Sequence, residues 1–269
     1  MKVGTRMARR GSNTLFFAGL LGLSLPVLFL IFFPLGRLVT APTFEDLVHA
    51  IREADVQAAL LRSLLTALGA ALVSLVFGTP LAYLLSRRDF PGKKLVEGLI
   101  DLPIMIPHPV IGIAILGLAT RDTVFGRILE WMGIQVMGTY AGIVAVLTFV
   151  GLPFFLNTAK AAFESVPERL EHVSMGLGAG SLSTFFRVTL PLSWRGIVLG
   201  MVMCTARAIS EFGAVIVVAY HPMLAPVLIY ERFTAYGLKY SQPVAVWLIV
   251  ISVILFVAMR FLSRPVRQW

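Results

Sequence analysis

Charge is what this sequence most lacks. Of its 269 residues only 14% are Asp, Glu, Lys or Arg, while 58% are hydrophobic. A water-soluble domain carries about 25% charged residues, so the deficit excludes a chain whose whole surface meets water. Cysteine is nearly absent: Cys204 stands alone in an apolar segment, which rules out an internal disulfide and a cysteine-based metal cluster and reads as a small packing residue. The four histidines, His49, His108, His172 and His221, fall in separate segments without metal-ligand spacing. No Gly-x-x-x-x-Gly-Lys-Ser/Thr loop occurs, so the chain has no visible phosphate cradle for ATP. No nucleophile, base and acid constellation stands out. A membrane-embedded enzyme, the main rival class, would need paired polar residues such as His and Asp on facing helices. Inverted repeats of the kind many secondary transporters carry are not visible. A channel or secondary transporter, the other rival, would work without an ATPase.

What the sequence has is long apolar runs. A bilayer core needs about 20 apolar residues per helix, and six segments qualify: 14–38, 58–86, 95–120, 139–163, 193–219 and 242–262. Each must be helical, because backbone amides exposed to lipid have no water to bond. A basic N-terminus followed by an apolar run also resembles a signal peptide. The run from Leu15 to Leu38 is longer than a typical signal core and is followed by no clear cleavage site, so a retained first helix is expected. Lys2, Arg6, Arg9 and Arg10 at the start, the Arg87–Lys94 connection, and Arg260, Arg264 and Arg267 at the end all lie on one side of a six-span chain. The positive-inside rule makes that side, with both termini, cytoplasmic. The net charge of +9 then reflects membrane topology, and no nucleic-acid partner is expected.

The cytoplasmic connection from Glu164 to Trp194 is amphipathic and too long for a turn. Ser165-Val166-Pro167-Glu168 reads as a capping box opening a helix. Leu170, Val173 and Leu177 share one face of it, with Glu168, Glu171, His172 and Ser174 facing elsewhere. Gly176, Gly178 and Gly180 end it, and a second short helix is expected from Ser181 to Thr189, closed by Pro191. Such a pair is either a docking element or an interfacial pair lying on lipid headgroups.

Two features interrupt the spans. Pro103, Pro107 and Pro109 bracket the start of the third, which cannot be a smooth helix; His108 between them suits a hydrogen bond at the break. Arg207 and Glu211 lie four residues apart inside the fifth span, where ionisable groups are costly and usually paired or turned to an aqueous cavity. They are either a gate or pore-wall element, with Phe212 and Gly213, or an internal pair that stabilises a helix junction.

Glu171-His172-Val173-Ser174-Met175-Gly176-Leu177-Gly178, with Val188-Thr189-Leu190-Pro191 ten residues on, resembles the signature of type I ABC importer permeases: Glu-Ala-Ala, three residues, Gly, nine residues, Ile, one residue, Leu-Pro. Gly178, Leu190 and Pro191 match in register. His172 stands where the motif has its glutamate, with Glu171 one position early, which leaves the acidic contact open between these two. Phe77–Arg87, Val96–His108, Ile209–Val215 and Tyr220–Arg232 look like segments of molybdate and tungstate permeases, a group that shares much with sulfate and thiosulfate permeases. The resemblance implies an all-α membrane protein of the type I importer fold with six transmembrane helices in a prokaryotic cytoplasmic membrane. Residues 1–57 would form a tail, first helix and external loop, 58–262 the transporter domain with coupling helices at 164–191, and 263–269 a cytoplasmic tail. It further implies a homodimer with the path on its twofold axis, two ATPase subunits that carry ATP and Mg, an external solute-binding protein, and no cofactor or catalytic residue on this chain. Glu171, His172, Gly178, Leu190 and Pro191 would then couple to the ATPase.

Overall fold

The structure, a computed structural model, describes residues 4–262; Lys2, Arg264, Arg267 and the 263–269 tail lie outside the described residues. Every regular element among the described residues is a helix. In chain order they are α1 (Gly4–Thr40), α2 (Phe44–Arg52), α3 (Ala54–Arg87), α4 (Lys93–Met105), α5 (His108–Leu118), α6 (Val124–Trp131), α7 (Tyr140–Glu164), α8 (Glu168–Gly176), α9 (Ser181–Ile209), α10 (Gly213–Val218), α11 (Ala225–Tyr236) and α12 (Leu238–Leu262). Five of them, α1, α3, α7, α9 and α12, are long and apolar enough to cross a bilayer, and the bent pair α4–α5 makes a sixth crossing when counted as one.

The centre of the bundle is α7, clasped by α3 and α9. Its apolar residues run all round, as a helix enclosed by other helices requires: Ile143, Val146, Leu147, Val150, Phe155, Leu156, Ala159 and Phe163 are all buried. Small residues bring α7 and α9 close. A side chain at Gly196 would begin 2.2 Å from the Cβ of Ala162, so glycine is needed for that approach. Cys204 packs against Gly151 with its sulfur 3.5 Å from Ser74 Oγ, the packing role its isolation suggests. The apolar side chains of α1 described from Phe16 onward are largely exposed, as are many on α12, so these two helices form the outside of the single chain.

Three segments differ from the sequence expectation, each for a local reason. The second short helix does not stop at Pro191. Ser181 to Ile209 is one helix, because a five-residue π turn, Phe185–Thr189, precedes the proline. The widened turn relieves the clash of a proline ring with the preceding turn. The same device stands before Pro80, where Ser74–Gly78 is a π turn inside the continuous α3. The expected span 193–219 is correspondingly shifted: the helix ends at Ile209, residues 210–212 break it, and α10 follows separately. The capping box at Ser165–Glu168 does not form, since Ser165 Oγ donates back to Ala162 O and Pro167 is the cap residue without a side-chain bond. A capping box forms instead at Thr43–Asp46 and opens α2. The third crossing is bent by 114° between α4 and α5, as its prolines require.

Length bears on where α3 ends. The 34 residues of α3 extend about 51 Å, more than the about 30 Å of hydrocarbon. The helix therefore overreaches that layer, and its last turns, with Tyr83 and Arg87, stand beside α8.

Candidate functional site

The polar residues singled out in the sequence fall into two groups at opposite ends of α9, whose stretch from Leu190 to Ile209 has 20 residues and spans about 30 Å.

At the Leu190 end, Glu171 turns inward. Its Oε1 lies 2.8 Å from Arg87 Nη2 and accepts from Arg87 Nε at 2.9 Å and Thr189 Oγ1 at 2.9 Å, while Oε2 accepts from Tyr83 Oη at 3.0 Å. Arg87 also donates to Val166 O at 2.9 Å, and the Ser174 and Thr184 hydroxyls meet at 3.0 Å. Burial opposes the charge on Glu171, but Arg87, Thr189 and Tyr83 together outweigh it and hold its carboxyl below the ordinary value. One carboxylate thus joins α3, α8 and the π turn of α9 in a dry junction, backed by Tyr83, Phe163 and Phe185 in edge contacts.

The sequence leaves the acidic contact open between Glu171 and His172, and Glu171 is the one turned inward. Leu170, Val173 and Leu177 are exposed, the last at 85%, and Glu171 is the buried residue. With Leu182 and Phe186 they form an apolar patch beside the exposed His172. Gly178 makes the turn between α8 and α9 with φ +92°, a left-handed conformation that favours glycine. Leu190 packs into the inner core and Pro191 is exposed. Arg87, Tyr83 and Thr189 were not singled out as partners of Glu171 in the sequence. The available signal was a basic residue at a span end, which topology alone also explains.

The second group lies where two helix breaks meet. Glu211 is buried; its Oε2 accepts from Arg207 Nη2 at 2.8 Å and faces His108 Nδ1 at 3.2 Å, and its Oε1 accepts from Ala214 N at 2.9 Å. Arg207 Nη2 also stands 2.7 Å from His108 Nε2. The same Nη2 is 3.3 Å from His108 Nδ1, so the guanidinium nitrogen meets both nitrogens of the ring. So His108, expected to serve the break between prolines, closes a triad with the pair from α9. Gly213 sits against it: a side chain there would begin 3.0 Å from His108 Cβ, and one at Gly112 would begin 2.7 Å from Ala214 O, so α5 and α10 pack backbone to backbone. Phe212 is half-buried against Tyr230, ring centroids 4.9 Å apart.

A polar ladder between α4 and α7 completes the picture. Lys160 Nζ reaches Glu97 Oε1 at 2.6 Å and Glu164 Oε1 at 3.6 Å, and Asn157 donates to Asp101 at 2.8 Å. These groups keep partial exposure within apolar spans, and their placement favours water or protein beside them over lipid.

Comparison with known proteins adds a family. A family model described as binding-protein-dependent transport system inner membrane component matches residues 74–268. The molybdate/tungstate transport system permease protein WtpB of Pyrococcus abyssi is 45% identical over 81% of this chain and 83% of its own length. WtpB of Methanocaldococcus jannaschii is 41% identical over 87% and 91%. The sulfate transport system permease protein CysT of Synechocystis is 32% identical over 76% and 73%. Among solved structures, a chain of a bacterial ABC transporter involved in the import of the acidic polysaccharide alginate aligns with a TM-score of 0.71 at 18% identity, covering 98% of this chain and 100% of that one. A chain of the MetNI methionine ABC transporter aligns at 0.63 and 17%, covering 77% and 93%.

Proposed function

The chain belongs to the family of binding-protein-dependent transport system inner membrane components, and from that membership we propose that it is the permease subunit of an ATP-driven importer for molybdate or tungstate. The observation that carries the reading is the construction of α8: latched inward to α3 and α9 through Glu171, with Leu170, Val173 and Leu177 left bare beside the exposed Glu168, Arg169 and His172. A helix that leaves apolar side chains bare is built to receive a partner. A separate ATPase is that partner here, and it holds the ATP and Mg.

Residues 164–191 are the coupling region within a transporter domain of 58–262. Since Glu171 is spent on internal bonds, His172, with the apolar patch, is the residue free to touch the motor. Gly178 sets the angle of α8, and Leu190 and Pro191 tie the lever to α9. Arg207, Glu211, Phe212 and Gly213 form the gate region at the meeting of the two helix breaks. The long exposed apolar helices α1 and α12 suit a homodimer in lipid, with the path on its twofold axis. Two ATPase subunits and an external solute-binding protein complete the assembly. The Arg87–Lys94 and Glu164–Trp194 connections and both termini face the cytoplasm. The anion assignment follows from the relatives named for molybdate and tungstate, which are more similar than the sulfate permease.

Uptake into vesicles holding the complete transporter tests the reading. Molybdate or tungstate should enter only with ATP and the binding protein, and sulfate more slowly. Uptake that proceeds without the ATPase would favour a channel or secondary transporter and overturn it.

A further inference from the structure

The triad of Arg207, His108 and Glu211 has an uneven distribution of bonds. Both short contacts of the Arg207 guanidinium fall on one nitrogen, Nη2, which meets Glu211 and His108. Nη1 has a long contact of 3.4 Å to Ser210 Oγ, and the remaining N–H groups have no partner among the described residues. Exposure is uneven too. The Glu211 side chain is fully enclosed, while those of Arg207 and His108 are 19% and 40% exposed and Ser210 is exposed. The Ser210 hydroxyl donates back to Arg207 O at 3.0 Å, so the cluster shows the cationic N–H groups of Arg207 on its open side and keeps its carboxylate behind them. At membrane depth an open donor face turns to water or to a permeating solute, because lipid would penalise it.

We propose that Arg207, with Ser210 and His108 beside it, forms a transit site for a tetrahedral oxyanion, at which the guanidinium exchanges its pairing with Glu211 for the passing anion. The proposal rests on the oxyanion importer reading above. A planar guanidinium presents two parallel N–H donors that match two oxygens of such an anion. Glu211 does not lose its setting in the exchange, since it retains the Ala214 N–H and His108 Nδ1. The carboxylate acts as a resident competitor that makes binding brief, as a site along a conducting path must be. The location supports this role. Residues 106–107 and 210–212 are the breaks of the third and fifth crossings, and the backbone contact of α5 with α10 carries both sides of the triad together.

The test uses the complete transporter, permease with ATPase and binding protein, in lipid nanodiscs and proteoliposomes with tungstate. Glu211→Gln removes the competitor: tungstate retained per complex after rapid gel filtration should rise, and turnover should fall, each about tenfold. Arg207→Gln should abolish the retained tungstate and lower turnover by a similar factor in complexes that still assemble. Arg207→Lys keeps the charge without the fork and should fall between wild type and Arg207→Gln; it carries the test by itself if Glu211→Gln fails to assemble. If the variants lose transport only in proportion to lost assembly, or if Glu211→Gln retains no more tungstate than wild type, the triad is a structural junction and the transit site is wrong. Wild-type complexes that take up no oxyanion at all would overturn the importer reading instead.

Discussion

Removing the Glu171 carboxylate would leave the Arg87 guanidinium buried without its counter-ion, with Tyr83 and Thr189 losing an acceptor. Glu171→Gln keeps the shape and loses the charge, so it should lower stability of the assembled protein by about 1–3 kcal/mol, read as thermal unfolding in detergent. The pH dependence has a definite sign. The folded carboxyl titrates below its ordinary value, so its contribution is complete above about pH 4.3 and is lost only as pH falls through the lowered folded value. The gap between wild type and Glu171→Gln should stay level from neutral to mildly acid buffer and close only in strong acid. A gap that closes near neutrality would contradict the latch. His172, next along the chain, is exposed with no such network. His172→Ala should leave stability within about 0.5 kcal/mol while weakening capture of the ATPase, which separates the residue that holds α8 from the residue that meets the motor.

At the scale of elements, the turn between α8 and α9 is the place where direction is set. A methyl group at Gly178 would meet nothing within 4 Å, so its cost is purely that of φ +92°. Gly178→Ala should cost about 1–2 kcal/mol and, by tilting α8, lower the uptake driven per ATP more than it lowers ATP hydrolysis; equal losses in both would argue against a lever. How far the elements could be read from sequence depends on what fixes each of them. The break at Pro103, Pro107 and Pro109 and the apolar crossings other than the fifth follow from local rules of ring sterics and lipid exposure, and they stand close to where the sequence puts them. The continuity of α9 through Pro191 was hidden, because a π turn leaves no compositional mark of its own. The inward turn of Glu171 was hidden for another reason: amphipathicity identifies the apolar residues of α8, but not which polar side chain finds partners on α3 and α9. The Arg207–Glu211 pair was visible by spacing, whereas its third member, His108, comes from a crossing 99 residues away and needs the three-dimensional meeting of two breaks.

For the whole molecule, the decisive quantity is orientation, since a coupling lever works only on the side where nucleotide is hydrolysed. The chain separates its ends cleanly. The end with α8, the start of α9 and the Arg87–Lys94 connection is basic, and the opposite end carries α2, α6 and α11 with acid and base more balanced: Glu53 pairs with Arg232, and Arg121 with Glu130. Lys and Arg are retained on the cytoplasmic side during insertion, and the expected position of α8 is therefore inside. The native thiol gives this a low-background test, because Cys204 is buried. Single cysteines at His172 and Lys94 should react with a membrane-impermeant maleimide only in inside-out vesicles, and cysteines at His49 and Asp122 only in intact cells or right-side-out vesicles. All four positions are exposed, so a lack of labelling in one orientation reports sidedness rather than burial. A His172→Cys thiol reached from outside would put the apolar face of α8 where no nucleotide motor can meet it, and the Glu171 latch would then need a different explanation.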